Sequence, residues 1–93
     1  MIIGIPKETK QFESRVAIAP DSVKKLTTLG HEIHIESKAG EKSSFINQDY
    51  QDAGAQIVDT PKSIYACDLI LKINALNSEE LDYIEPGKTL ICF

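Results

Sequence analysis

The sequence has no tryptophan, one methionine, two histidines and two cysteines. Each scarcity removes a class of function. Cys67 and Cys92 lie in separate apolar segments, and no Cys-x-x-Cys occurs. That usage fits neither a disulfide-dense secreted domain nor a zinc site. Both cysteines read as reduced core thiols. His31 and His34 are the only histidines. They fall on opposite faces of a strand and cannot act together, so both read as surface residues and no metal site is expected. No apolar run approaches the roughly eighteen residues that a membrane-spanning helix needs. No basic region followed by a long apolar stretch opens the chain, so a secretory signal is not expected.

Positive charge is also sparse. Ten Lys and Arg stand against fourteen Asp and Glu, a net charge of −4. No basic cluster is dense, which excludes general nucleic-acid binding. A local anion site remains open, because net charge does not describe one pocket. Glycine is scarce where a dinucleotide site would need it. The first strand candidate, "IIGI", is followed by Pro6-Lys7-Glu8, and no Gly-x-Gly-x-x-Gly occurs. The main phosphate cradle for a nicotinamide cofactor is therefore not in these residues. "AGEKSS", around Lys42-Ser43, lacks the spaced glycines and the Gly-Lys pair of a phosphate loop.

What is present reads as one small domain. Ninety-three residues with a 42% apolar share support a single core, and a 26% charged share is ordinary for a globular chain. Ile2 to Ile5 is a short strand candidate ending at Pro6. From Asp21, Val23, Leu26 and Leu29 recur at helical spacing, with Lys24 and Lys25 on the other face. Gly30 stands where a helix-terminating glycine belongs. "HEIHIE" alternates as a half-buried strand does. "KAGEKSSF" is a loop, and Asn47 to Ala53 is a helix that stops at Gly54. Gln56 to Val58 is a brief strand. Thr60-Pro61 opens a helix to about Ala66, with threonine at the cap and proline in the first turn. "DLILK" reads as a strand buried on both faces. Asn77 to Glu80 opens another helix, with Ser78 as the cap and acids in the first turn. "KTLICF" is the last strand.

The order β-α-β-α-β-α-β-α-β predicts a parallel five-stranded sheet with helices on both faces, a three-layer α/β domain. The last strand has no closing helix. Residues 1–93 are accordingly expected to be the first domain of a longer chain.

Two basic residues stand at the edge of the sheet where α/β proteins bind ligands. Lys72 follows four strand residues, "DLIL". Arg15 interrupts "FESRVAIAP" in the long loop after the first strand. With the common strand order 2-1-3-4-5, one strand separates strands one and four. Two spacings of about 4.8 Å then put them roughly 10 Å apart. Long basic side chains can converge on one small anion across that gap, the arginine by a bidentate contact. The plainer reading makes Lys72 a solvated strand-end charge and pairs Arg15 with Glu13 or Glu8. Tyr65, Tyr83 and Phe45 suit packing better than ligand stacking.

The ordered blocks carry a resemblance. "GIPKE", "ESRVA" and Pro20 are followed by "LGH", "DYQDAGAQIVD" and "DLILKINA". Across essentially all 93 residues, the chain resembles the N-terminal domain shared by alanine dehydrogenases and the alpha subunit of nicotinamide nucleotide transhydrogenase. Alanine dehydrogenases tend to read Lys-Val-Lys-Glu-Pro after the fourth strand, and transhydrogenases Lys-Val-Asn-Ala-Pro. Here the text is "KINAL", Lys72 to Leu76, with leucine in place of the proline. "SSF" and "PGKTLICF" also look more like the transhydrogenase.

The resemblance implies a flavodoxin-like domain, the first of two that flank a cleft. The second, a Rossmann unit outside these residues, would bind NAD(H). The transhydrogenase passes a hydride between NAD(H) and NADP(H), the latter on a partner component, and couples this to proton translocation. Its partners would be the remaining alpha-subunit domains, the beta subunit and a second copy of the soluble portion. Its place would be the cytoplasmic face of the inner membrane. An alanine dehydrogenase would interconvert L-alanine and pyruvate, with the positions matching Arg15 and Lys72 on the keto acid. In the transhydrogenase those positions face the cleft near the nicotinamide. A third possibility is a module that only forms a cleft wall or an assembly contact, without activity alone.

Overall fold

The computed structural model describes residues 1–93. Five strands alternate with four helices: β1 (Ile2–Ile5), α1 (Pro20–Thr28), β2 (Glu32–Glu36), α2 (Asn47–Asp52), β3 (Gln56–Val58), α3 (Pro61–Tyr65), β4 (Leu69–Lys72), α4 (Ser78–Leu81) and β5 (Thr89–Cys92). A single 3-10 turn, Glu41–Ser43, breaks the loop before α2. The strands form one parallel sheet in the order β3-β2-β1-β4-β5. The alternation read from the sequence and the three-layer α/β architecture are both present. No helix is long and apolar enough to cross a membrane.

Each face of the sheet has its own core. Ile3, Ile5, Ile33 and Ile35 pack on one side against Val23 of α1 and Tyr50 of α2. The Tyr50 hydroxyl donates to the Ile18 carbonyl at 2.8 Å, so burying the ring leaves no polar atom unpaired. On the other side Ile70 packs with Cys67 and with Ile64 and Tyr65 of α3. The rings of Tyr65 and Tyr83 stack at 5.8 Å, and those of Phe45 and Tyr50 meet edge-on at 6.2 Å. Gly4 alternates with Ile3 and Ile5 and faces the α3 layer. A Cβ there would lie 2.7 Å from the Ile64 carbonyl oxygen and 3.0 Å from the Cys67 sulfur. Only glycine lets α3 settle this close to β1.

Several expectations are corrected. Strands one and four are direct neighbours, not separated by a strand. Strand periodicity reports which faces are buried but not which strands pair. Ser78 is not the cap of α4. Asn77 is: its side chain accepts from the Glu80 N–H at 2.8 Å, and the Glu80 carboxylate accepts from the Asn77 N–H at 2.9 Å. Leu29 lies beyond the last turn of α1 and is 74% exposed. Gly30, with φ +95°, then turns the chain away. Cys67 is a buried free thiol, as expected, but Cys92 is exposed, because β5 is an edge strand exposed along its whole length.

Neither histidine is a plain surface residue. His31 precedes β2 and its Nδ1 is buried without a partner. His34 sits in β2 opposite Gly4, and its Nε2 lies 2.9 Å from Glu32 Oε2.

Candidate functional site

The connections run outward from β1 to β2 and β3, then return to β4 and β5 on the other side. The reversal falls between β1 and β4. Parallel strands all end on the same edge, so two loops leave side by side there: residues 6–19 after β1 and residues 73–77 after β4. In open α/β sheets this switch point is the ligand-binding crevice.

Lys72 is the last residue of β4 and shares a face with Ile70, so its stem runs under α3 and α4. Its side chain is only 2% exposed, which requires compensation of its charge. Glu8, equally buried, supplies it with Oε1 at 2.9 Å from the Lys72 Nζ. Glu80 of α4 adds a second carboxylate at 3.7 Å. Glu8 does more than neutralise. Its Oε2 accepts from the Ile73 N–H at 2.9 Å, and its Oε1 from the Asn74 N–H at 3.1 Å. One carboxylate therefore staples the loop after β1 onto the loop after β4.

Arg15 lies on the outer side of the same crevice and is 69% exposed. Glu13 holds it in a fork: Nε donates to Oε2 at 2.9 Å and Nη2 to Oε1 at 2.8 Å. The Arg15 N–H also donates to Glu13 Oε2 at 2.9 Å. Hydrogen bonds from Arg15 hold the Glu13 carboxyl well below the usual carboxylate range, with the Asn74 amide adding to them. Two donors of the guanidinium are engaged, which leaves Nη1 free for a ligand.

Arg15 and Lys72 do not converge directly. Asn74 joins them. Its Nδ2 donates to Glu13 Oε1 at 3.0 Å and to Glu8 Oε1 at 3.3 Å. The resulting chain runs Arg15, Glu13, Asn74, Glu8, Lys72. Of the two partners considered for Arg15, Glu13 is the one it meets, and Lys72 is buried rather than solvated.

Around Lys72 the environment is rich in carboxyl groups. Burial raises the Glu36 carboxyl, opposed by the hydrogen bond from the Lys7 N–H at 2.9 Å. Burial also raises the Tyr65 hydroxyl, helped by the neighbouring charge of Glu80, to which it donates at 3.2 Å. A cleft of about 340 Å³ opens beside these groups, bordered by Lys10, Lys72, Asn74, Leu76, Asn77 and Glu80. Leu76, at the position of the family proline, packs against the Ile64–Tyr65 core. A wider depression of about 600 Å³ runs along the solvent face of α1, but its lining residues Asp21, Lys24, Lys25, Thr28 and Leu29 are all exposed. The switch-point cleft is the candidate site, because buried charges converge only there.

The sequence offered Glu8 only as a partner of Arg15; its pairing with Lys72, the part played by Glu80 and the bridging role of Asn74 were not read from it. A signal for Glu8 existed. A lysine ending a doubly buried strand needs a carboxylate, and Glu8 lies in the loop after β1, which adjoins the end of β4 once β1 and β4 are paired.

Residues 4–93 match the family described as alanine dehydrogenase/PNT, N-terminal domain. Alanine dehydrogenase of Bacillus subtilis is 39% identical over all of this chain and 25% of its own length. Alanine dehydrogenase of Mycobacterium tuberculosis is 43% identical over the same shares. NAD(P) transhydrogenase subunit alpha of Haemophilus influenzae is 40% identical over all of this chain and 18% of its own. The chain thus spans a quarter or less of the length of these curated relatives. A solved L-alanine dehydrogenase superposes with a TM-score of 0.95 at 38% identity, over 97% of this chain and 25% of that one. A transhydrogenase from Sinorhizobium meliloti superposes at 0.93 and 34% identity, over 99% and 26%. Both branches match at similar identity, and the chain belongs to the alanine dehydrogenase/PNT N-terminal domain family of oxidoreductases.

Proposed function

We propose that this chain is the first domain of an NAD(P) transhydrogenase alpha subunit, and that Arg15 and Lys72 belong to the wall of a cleft that takes NAD(H). The observation that carries this reading is the state of Lys72. It is enclosed and already faces two carboxylates, Glu8 and Glu80. A site for a small keto acid needs a cation with charge to spare, and Lys72 has none. Asn74 points the same way. Its amide lies between Glu8 and Glu13, whereas the alanine dehydrogenase pattern has a lysine at this position.

NAD(H), when bound, supplies the hydride. The residues here do not form its phosphate cradle, since no glycine fingerprint is present. Glu8 fixes the loop that carries Arg15, and Glu13 orients the guanidinium with Nη1 outward. Ala75 and Leu76 are the apolar residues of the cleft's lining. Under this reading a Rossmann domain of the full-length protein, outside these residues, holds most of the NAD(H). NADP(H) sits on the beta subunit, the soluble portion pairs with a second copy, and the assembly lies on the cytoplasmic face of the inner membrane.

The alternative is alanine dehydrogenase, favoured by the 0.95 TM-score to the solved L-alanine dehydrogenase. An assay of the full-length protein, combined with the beta subunit that this reading requires for NADP(H), separates the two. Hydride exchange between NADH and an NADP analogue without alanine is the expected result. Alanine-dependent reduction of NAD with no exchange between nucleotides would refute the proposal.

A further inference from the structure

The loop that carries Arg15 contains an outlier that the site described above does not use. Phe12 has φ +67° and is 93% exposed. It is the third residue of a turn closed by the Glu13 N–H donating to the Lys10 carbonyl at 3.1 Å. With φ positive, that position favours glycine or asparagine, and a bulky residue there is strained. The strain gains nothing within the domain, because a ring 93% exposed packs against almost nothing.

The turn is held from both ends. On one side Glu8 is fixed by Lys72, Ile73 and Asn74. On the other Glu13 is fixed by Arg15 and Asn74. Phe12 therefore stands on an anchored arch whose Thr9 and Lys10 border the switch-point cleft. The polarity of the arch is sorted. Its two acids turn inward and are consumed by these bonds, while Lys10 and Arg15 are exposed. The arch thus carries one exposed aromatic ring, with an exposed cation two residues before it and another three residues after it. The other loop aromatic of this edge, Phe45, is instead paired with Tyr50.

We propose that Phe12 is a ligand-contacting residue that stacks on the flat ring of a nucleotide in the cleft, with Lys10 and Arg15 facing its anionic part. A ring flanked by cations matches a ligand with an aromatic body and a phosphate, and strain retained at a ligand edge is a mark of function. The inference rests on the NAD(H)-cleft reading above and adds a contact to it.

The test uses the full-length protein and NADH as the probe, with affinity read by NADH fluorescence. Phe12→Asn removes the ring and suits the left-handed backbone. It should weaken NADH binding about tenfold while raising the melting temperature by about 2 °C. Phe12→Tyr keeps the ring and should bind NADH within about twofold of the wild type, with no gain in melting temperature. Wild-type affinity in Phe12→Asn overturns the inference and leaves the cleft reading intact. Wild-type affinity together with lost self-association also overturns it, and assigns the ring to a contact between copies. A wild-type protein that binds no NADH overturns both.

Discussion

Replacing Glu8 by alanine tests the central claim about the site. Both partners of the Lys72–Glu8 pair are 2% exposed. Without Glu8 the buried ammonium keeps only Glu80, at 3.7 Å. The N–H groups of Ile73 and Asn74 lose their acceptor as well. Breaking a buried ion pair by deleting one partner costs about 3–5 kcal/mol. The cleft lies against Lys72 and admits water to part of the vacated space, which favours the lower end, about 3 kcal/mol. That is a large part of the roughly 5–15 kcal/mol that holds a domain together. Urea unfolding of the 93-residue chain, followed by circular dichroism, should show a lower midpoint with an unchanged slope. Lys72→Met supplies the other arm of a double-mutant cycle. In that background Glu8→Ala should cost at least about 1.5 kcal/mol less, because no buried ammonium is left unpaired. A Glu8→Ala cost below about 1 kcal/mol, or costs that simply add, would refute the pairing.

Other perturbations address the scaffold. Gly4→Ala should destabilise by about 2 kcal/mol, because the new Cβ meets the backbone oxygen of Ile64 at 2.7 Å; a neutral urea midpoint would show that α3 can shift. Asn77→Ala should cost about 1 kcal/mol through loss of the α4 cap, with Asn77→Asp recovering most of it; equal losses in both variants would argue against capping. Burial pushes the Tyr50 hydroxyl up to about 12, with the Asp49 charge adding to the effect. Its ordinary value is 10.0, so its contribution is fully present below pH 10 and is lost as pH rises towards 12. Alkaline unfolding should therefore begin in that window in the wild type, and Tyr50→Phe should flatten the slope there; an identical slope in the variant would exclude Tyr50 as the source.

The layers of the fold were legible because periodicity encodes burial. "DLILK" is nearly continuous in apolar residues and became the interior strand β4, and "HEIHIE" alternates and became β2. The three strands named by their own residues, Ile2–Ile5, Gln56–Val58 and "KTLICF", also formed. Pairing was not legible. Nothing in the composition of β1 and β4 states that they are neighbours, and a single strand placed between them hid the Glu8–Lys72 contact. Short-range rules erred at the margins. Ser78 and Asn77 are both capable caps, and the choice depends on which one lies three residues before the reciprocating Glu80. Cys92 sits in an apolar run, as core residues do, but β5 is an edge strand and leaves it exposed. Arg15 was legible as a residue of the ligand edge because an arginine in a loop after a strand is read from position alone. Its partner was a choice between Glu13 and Glu8, and geometry alone settled it.

The charges of the site constrain what a ligand can meet. Glu8 and Glu80 face Lys72 from different elements, and Glu36 lies close enough for Lys72 and Glu80 to act on its carboxyl. An added anion at Lys72 would join an excess of carboxyl groups. Two like charges 4 Å apart repel by about 4 kcal/mol at an effective dielectric near 20, enough to cancel the attraction of one lysine. Arg15 is placed differently. Glu13 takes Nε and one hydrogen of Nη2, and the exposed remainder of the guanidinium faces water, so an incoming anion need not displace Glu13. The two cations that the sequence placed at one edge of the sheet thus differ in their surroundings. Lys72 neutralises a buried acidic knot that fixes both loops, and Arg15, held by a Glu13 that Asn74 also bonds, is the charge that the proposed reading turns towards a ligand.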